Sequence, residues 1–166
     1  MNLERCLMRV QDVMTSPAHS CTPDANLAAA ALAMKDYDCG ALPVLDNAGR
    51  PIGILTDRDV CMAVAHKNRF PAAIPVREVM TCDPFTCGPG TDLGYALNVM
   101  ADRHVRRLPV VDGNGRLVGI LSLSDVLSSM QEARTVDTPL LRKLVAASRM
   151  ETRPRSWRQG STASPN

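Results

Sequence analysis

Apolar and polar positions along the first third of the chain predict a short strand, a helix, two strands and a second helix. The short strand is predicted at residues 20–22. A helix is predicted from about 23 to 37, because apolar side chains recur there at spacings of three and four residues. The apolar runs 41–45 and 51–55 predict two strands joined by a hairpin turn, and residues 57–65 predict the second helix. The apolar face of the first helix consists of Leu27, Ala30, Ala31 and Met34.

The same pattern returns 66 residues later without a gap. Of the 50 aligned positions in 12–61 and 78–127, 20 are identical, which is far more than chance gives. The stretch 53–60 and its copy 119–126 share a glycine, two aliphatic residues, a hydroxyl residue, an aspartate and a valine. Two copies are too few for a solenoid. We therefore predict a pseudo-symmetric pair in which each half covers the open face of the other.

The predicted fold class is α+β, with two pseudo-symmetric β-α-β-β-α motifs packed as one module. The first motif occupies residues 10–66 and the second occupies 76–130. Residues 67–75 contain two prolines and are predicted to be the connector between them.

The segments outside the two motifs carry their own signals. Leu3, Leu7 and Val10 have the spacing of a short N-terminal helix. Residues 131–151 predict a C-terminal helix with aliphatic residues on one face. Residues 152–166 are rich in arginine, serine and proline, so we predict a disordered basic tail.

Composition and charge narrow the possible classes of function. Hydrophobic residues make up 45% and aromatic residues 3%, so the core is aliphatic and platforms for stacking bases are scarce. A net charge of +2 gives no strong field that would indicate nucleic-acid binding. The sequence contains neither a secretion signal nor a continuous apolar stretch of membrane-spanning length. We therefore expect a cytoplasmic protein with reduced cysteines and no membrane insertion.

Paired motifs carry a resemblance to a known family. They are Asp12-Val13-Met14 with Glu78-Val79-Met80, Leu42-Pro43-Val44 with Leu108-Pro109-Val110, and the two glycine-to-aspartate stretches. Over about residues 10–130 the chain resembles a tandem cystathionine-β-synthase (CBS) domain pair, or Bateman module, and it is similar to small stand-alone bacterial members of that family. The resemblance implies a non-catalytic module that binds an adenosine-containing ligand between its two halves.

The resemblance also implies roles for the end of each glycine-to-aspartate stretch. Asp59 and Asp125 are expected to hold the ribose, because one carboxylate accepts hydrogen bonds from both hydroxyls of a vicinal diol. Thr56 and Ser122 stand at helix starts, where they are expected near the ribose or phosphate. The alternative is a capping box, in which the hydroxyl residue and the acid stabilise the helix without a ligand. The two interpretations are compatible, since an aspartate can cap the helix of an empty site.

Arginines supply candidate phosphate ligands, but they differ between the halves. Arg58 has no cationic counterpart in the second copy, and Arg106 and Arg107 have none in the first. Asp57 is replaced by Leu123 in the second copy. Because a guanidinium fits phosphate well, we expect two sites of unequal affinity. The alternative for each arginine is a solvated surface charge.

The resemblance places the base in an apolar slot in each half. The expected lining is Cys21, Thr22, Pro23, Ala41 and Ile54 in the first half and Cys87, Gly88, Pro89 and Ile120 in the second. The simpler interpretation of Cys21 and Cys87 is that they are small buried apolar residues. The cysteines and histidines lack the spacing of zinc ligands, so we expect no metal site.

These signals favour a regulatory or sensor module for AMP, ADP or ATP that acts through its conformation or dimer state. The sequence shows no nucleophile–base pair, metal constellation or phosphate-binding loop of an enzyme. Two alternatives stay open: a structural dimerisation module with vestigial sites, and a module for another adenosyl ligand such as S-adenosylmethionine or NAD. The resemblance implies a homodimer, and we expect an unidentified regulated protein on a separate chain.

Overall fold

The structure is a computed structural model that describes residues 8–132 and 138–148. The predicted helix residues Leu3 and Leu7 and the predicted tail 152–166 lie outside the described residues. The elements, in chain order, are α1 (Leu27–Asp36), β1 (Ala41–Leu45), β2 (Pro51–Thr56), α2 (Asp57–Lys67), β3 (Thr81–Cys82), α3 (Leu93–Arg103), β4 (Arg107–Val111), β5 (Leu117–Ser122), α4 (Leu123–Glu132) and α5 (Thr138–Ser148). The predicted α+β architecture of two similar motifs is confirmed.

Each motif is built around one antiparallel hairpin. Strand β1 pairs with β2, and β4 pairs with β5 in the same register, so that Ala41 faces Thr56 as Arg107 faces Ser122. The turns reverse the chain at Gly49 and Gly115, whose φ values of 80° and 77° suit glycine. The predicted strands and hairpin turns are therefore present in both copies.

Helix α1 begins later than the pattern predicted. Its first residue is Leu27 instead of Pro23, because the side chain of Asn26 accepts a hydrogen bond from the backbone N–H of Ala29 at 2.9 Å and so acts as the N-cap. Residues 22–25 form a turn instead, closed by the hydrogen bond from Ala25 N to Thr22 O.

The short first strand of each motif is reduced to a single bridge. Cys21 bridges to Val44 in parallel, and Cys87 bridges to Val110 in the same way. The predicted strand at 20–22 is thus one paired residue. Residue Cys21 still adds a backbone segment beside β1, since its N–H donates to Pro43 O and its carbonyl accepts from Leu45 N.

The beginning of each motif pairs with the sheet of the other motif. We call residues 8–15 and 74–82, which contain these beginnings, the lead-in segments of the first and second motif. Strand β3, in the lead-in segment of the second motif, pairs antiparallel with β2 of the first. Thr15, in the lead-in segment of the first motif, bridges antiparallel to Ile120 in β5 of the second. The two hairpin turns also meet, because Leu117 N donates to Gly49 O at 3.0 Å. The pseudo-symmetry is therefore an exchange of lead-in segments.

The two hydrophobic cores follow the same exchange. The core of the first motif contains Ile74 and Val76, which lie just before and at the start of the second motif. The core of the second contains Val10, with Met14 packed against it. Each motif therefore buries apolar side chains that the other motif's lead-in segment supplies.

Helix α5 covers the helical side of the second motif. Leu144 and Ala147 are buried in the same cluster as α3 and α4 residues. Lys143 lies against Gly94 of α3, where a Cβ would stand 2.7 Å from the Lys143 Nζ. The predicted C-terminal segment 131–151 thus contains the end of α4 and all of α5, and its residues 133–137 and 149–151 lie outside the described part of the chain.

The exchange of lead-in segments predicts a cost for filling Gly119. A Cβ at this position would lie 2.7 Å from Met14 Sδ and 3.0 Å from the backbone oxygen of Thr15. Gly119→Ala should therefore lower the free energy of unfolding by about 1–3 kcal/mol, as overpacking does, measured by urea denaturation. Gly113→Ala is the control, because nothing lies within 4 Å of its Cβ position. Equal stability of both variants would contradict the close packing of the lead-in on β5.

Candidate functional site

The first glycine-to-aspartate stretch ends in a complete capping box. The backbone N–H of Thr56 donates to Asp59 Oδ2 at 3.0 Å, and the Thr56 hydroxyl donates to the same oxygen at 2.6 Å. In return, Asp59 N donates to Thr56 Oγ1 at 3.2 Å. These bonds use amides that α2 would otherwise leave unpaired at its first turn.

The second stretch repeats this arrangement with two additional partners. Asp125 Oδ2 accepts from Ser122 N and Ser122 Oγ, both at 2.7 Å, and Asp125 N donates to Ser122 Oγ at 3.2 Å. The Ser122 hydroxyl also lies 2.9 Å from that of Ser124. Thr15, in the lead-in of the first motif, donates from its hydroxyl to Asp125 Oδ1 at 3.3 Å. Residues from both motifs therefore meet at this carboxylate.

The capping interpretation of Asp59 and Asp125 is therefore realised in the structure. It leaves the ribose role as a prediction, because both carboxylates are only half-buried. A carboxylate has about four lone-pair sites. A half-buried one that caps a helix with part of them can still accept from a diol.

The cations of the site come from different motifs. The Arg107 Nη2 lies 2.8 Å from the point that a Cβ on Gly40 would occupy, so this arginine of β4 reaches the first motif. Asp57 Oδ2 lies 3.2 Å from the same point. Arg58 and Arg106 are exposed. Of the three predicted phosphate ligands, Arg107 is thus the one that the structure brings to the other motif.

The predicted base-slot residues of the strands lie on the opposite face of each sheet from the core residues. Leu42, Val44 and Leu55 belong to the core that α1 and α2 cover. Ala41 and Ile54 are also buried but lie outside that cluster, because alternate residues of a strand point to opposite faces. They share the sheet face away from the helices. Ile120 alternates with the core residue Leu121 in the same way.

The remaining predicted base-slot residues lie beside the hairpins. Cys21 and Cys87 are half-buried next to β1 and β4, and Pro23, Gly88 and Pro89 are half-buried as well. Thr22 is exposed. Burial raises the pKa of both the Cys21 and the Cys87 thiols from 9.0 to about 11. They therefore stay protonated at neutral pH and behave as apolar residues.

A cavity of about 300 Å³ opens elsewhere, between α1 and α2 on the helical side of the first motif. Its lining residues are Ala31, Met34, Lys35, Cys39, Asp57 and Val60, none of which was predicted for the base. At the repeat-equivalent places the second motif has Leu97, Met100, Ala101, Val105, Leu123 and Val126, which are core residues or pack on the core that α5 completes. Lys35 and Asp57 are both exposed, so the cavity is a groove that is open to solvent.

Sequence reasoning missed several neighbours of the site. Thr15 and Ser124 join the hydrogen bonds around Asp125 and Ser122. The repeat aligned Thr15 with Thr81, and both pair with equivalent residues of the opposite hairpin, Ile120 and Ile54. The threonine shared by both repeats was therefore the sequence signal for this contact. The approach of Arg107 to Gly40 had no such signal in the sequence, because it depends on tertiary packing.

The described residues show neither a metal-binding cluster nor a membrane-spanning helix. Within 8–132 and 138–148, no three His, Cys, Asp or Glu side chains are placed to hold a metal ion. None of the helices in those ranges has the length and apolar character needed to cross a membrane.

The raised pKa values predict unequal thiol reactivity. A rise from 9.0 to 11 reduces the thiolate fraction at pH 8 about a hundredfold, and the thiolate is the reactive form. Because a more basic thiolate is also a stronger nucleophile, Cys21 and Cys87 should alkylate at least about tenfold more slowly in the folded than in the unfolded protein, measured by peptide mapping. The exposed Cys61 and Cys82 should react first.

The same shift has a consequence for stability. The folded protein keeps these protons to a higher pH than the unfolded chain, so the free energy of unfolding should fall as the pH rises from 9.0 to 11.

The control for the alkylation measurement is alkylation in denaturant, because all cysteines should then react alike. Rapid labelling of Cys21 or Cys87 in the folded protein at pH 8 would contradict their burial.

Comparison with known proteins identifies the family. The CBS domain model matches residues 10–66 and 76–132. The CBS domain-containing protein YhcV of Bacillus subtilis is 38% identical over 117 residues, which cover 70% of this chain and 81% of YhcV.

Solved structures agree with this match. The crystal structure of Hypoxic Response Protein I with two coordinated zinc ions has a TM-score of 0.65 and 30% identity, covering 73% of this chain and 98% of that one. CBSX2 in complex with AMP has a TM-score of 0.64 and 26% identity, covering 76% of this chain and 98% of that one. The resemblance inferred from the sequence is confirmed, and the chain belongs to the CBS domain family as a tandem pair.

Proposed function

We propose that the protein is a non-catalytic regulatory module that binds AMP, ADP or ATP in the cleft between its two CBS domains. The observation that carries the proposal is the duplicated helix start, where a hydroxyl residue bonds an aspartate in both domains and, in the second, Thr15 of the other domain bonds the same aspartate. The complex of the similar CBSX2 with AMP supports an adenosine ligand.

The ribose is proposed to bind at Asp59 in one site and Asp125 in the other. A diol would donate to each carboxylate, which offers oxygen lone pairs beyond those that cap the helix. Thr56 and Ser122 would stay bonded to their aspartates or turn their hydroxyls towards the ribose or phosphate. A bound nucleotide would thus use the groups that stabilise the empty site.

The base and the phosphate complete the proposal. The base would lie against the sheet faces of Ala41 and Ile54 in one site and Ile120 in the other, beside the protonated thiols of Cys21 and Cys87. The rest of the base pocket would be lined by Thr22, Pro23, Gly88 and Pro89. The phosphate would bind Arg107, with Arg58 and Arg106 as exposed cations that can turn towards it. Guanidinium groups pair with phosphate through two parallel hydrogen bonds.

A second candidate is a structural dimerisation module with vestigial sites. The completed capping boxes favour it, because both helix starts satisfy their amides without a ligand. A different adenosyl ligand, S-adenosylmethionine or NAD, is the variant of the leading proposal. The regulated protein, on a separate chain, and a cytoplasmic location remain parts of the proposal that rest on the sequence.

The proposal predicts stabilisation by adenosine-containing ligands. A ligand at 100 times its dissociation constant adds about 2.7 kcal/mol to the free energy of unfolding. At least one of AMP, ADP, ATP, NAD and S-adenosylmethionine should therefore raise the thermal midpoint. Asp59→Asn together with Asp125→Asn should weaken binding by about 1.5–3 kcal/mol per site through loss of charge-assisted hydrogen bonds.

The matched control for this double variant is Asp102→Asn. Asp102 is an exposed aspartate on α3 and is not one of the predicted site residues, so its replacement removes the same charge outside the assigned site. It should leave ligand affinity unchanged. If none of the five ligands moves the midpoint, the structural module is the better description. If a ligand binds equally to the double variant, the site assignment is wrong.

The proposed homodimer predicts an interface on the helices. Val64 of α2 and Leu127 of α4 are 47% and 48% exposed, at the faces of the second helix of each domain. Val64→Glu together with Leu127→Glu should convert a dimer to a monomer in sedimentation velocity. Phe70→Ser, in the connector and 84% exposed, is the control that should leave the mass unchanged. A wild-type monomer at all concentrations would contradict the proposed dimer.

A further inference from the structure

The carboxylate of Asp57 occupies an unusual position at the start of α2. Its Oδ1 accepts a hydrogen bond from the backbone N–H of Arg58 at 2.7 Å. Its Oδ2 lies 3.2 Å from the Cβ point of Gly40, and Arg107 Nη2 lies 2.8 Å from that point on the other domain's side. The Asp57 carboxylate therefore accepts from an amide of the first helical turn and lies near the guanidinium of an arginine from the other domain.

Those two donors are the kind that a phosphate needs. Free amides at a helix start and a nearby arginine together make an anion site. Asp57 engages the amide and stands within a few ångströms of the arginine. A ligand phosphate that approached Arg107 would meet this carboxylate, and charges of like sign repel.

The second domain has no such carboxylate. Its equivalent residue is Leu123, which is buried in the core that contains α5 residues. Backbone geometry is the same in both, since Asp57 N donates to Gly40 O and Leu123 N donates to Arg106 O. The two domains therefore present the same helix start with different charges: in the first a carboxylate lies near Arg107 of the other domain, and in the second the apolar Leu123 stands in place of that carboxylate.

We propose that Asp57 is the residue that selects ligands by charge at the first nucleotide site. It disfavours phosphorylated adenosine ligands there and leaves uncharged adenosine unaffected. The inference rests on the proposed adenosine-binding function and specifies the ligand class of one of its two sites: a nucleoside, or an adenosyl ligand with a cationic or neutral tail. The second site, where Leu123 replaces this carboxylate, carries no such selection against a phosphate.

A simpler role for Asp57 makes a different prediction. Asp57 is an exposed acid in the first turn of a helix, and such acids stabilise the helix dipole. That role changes protein stability when the charge is removed. It does not change the ratio of affinities for AMP and adenosine, so this ratio separates the two roles.

The test is isothermal titration calorimetry of adenosine, AMP and ATP in the Asp125→Asn background, which leaves the first site to be measured. Asp57→Asn should tighten AMP binding roughly three- to tenfold, the range expected for removing one like charge a few ångströms away in a hydrated site. The affinity for ATP should rise by at least as much, and the affinity for adenosine should not change. The gain should shrink in 1 M salt, where screening acts over about 3 Å.

Asp102→Asn is again the matched control, and it should leave all three affinities unchanged. If Asp57→Asn changes the affinities for adenosine and AMP by the same factor, or changes neither affinity, Asp57 is not a charge-selecting residue. If no ligand binds to any variant, the proposed function itself fails, which is a distinct result. Asp57→Leu, which copies the second domain, should give the same gain for AMP as Asp57→Asn. A gain in Asp57→Asn alone would also overturn the inference.

Discussion

The exchange of lead-in segments is the constraint on which the rest of the molecule depends. Residues at the start of each CBS domain complete the sheet and core of the other, with Val10 buried in the second domain and Val76 in the first. Each contact requires a close approach to a glycine: Met14 lies on Gly119, and Met80 lies on Gly53. Neither half can bury its apolar face alone, so the two domains must fold as one unit. The same exchange brings Thr15 to Asp125, which means that a residue paired with β5 also lies at the candidate site.

The helix starts combine a structural and a proposed functional role. A helix leaves its first amides unpaired, and these amides must find an acceptor. In both domains a Thr or Ser and an Asp supply it. The arrangement explains how an empty site stays folded, and it also leaves oxygen atoms at the surface. Ligand binding would therefore redistribute existing hydrogen bonds instead of creating a site from disordered residues. A sensor of this kind changes state only to the extent that the ligand prefers one arrangement over the other.

Local patterns predicted the parts of the fold that local forces decide. The hairpins at Gly49 and Gly115, the strands on either side of them and the second helix of each motif depend on turn chemistry and alternation within a few residues. The start of α1 differed because the Asn26 cap outweighed an apolar pattern that extended to Pro23. The reach of Arg107 to Gly40 could not be predicted, since it joins residues of different motifs. The repeat indicated that the halves face each other, but not that their lead-in segments cross between the sheets.

The departures from the repeat explain how two equal motifs become unequal. Helix α5 covers the helical side of the second domain, and its presence favours apolar residues such as Leu123 and Val126 there. The first domain has no such helix over its groove among the described residues, and Asp57 and Lys35 stand at the equivalent places, where water solvates them. The carboxylate tolerated on that open side is the same one that approaches Arg107. Covering one domain and leaving the other open thus gives the two helix starts different charges, which is the physical basis of the unequal ligand preference that we propose.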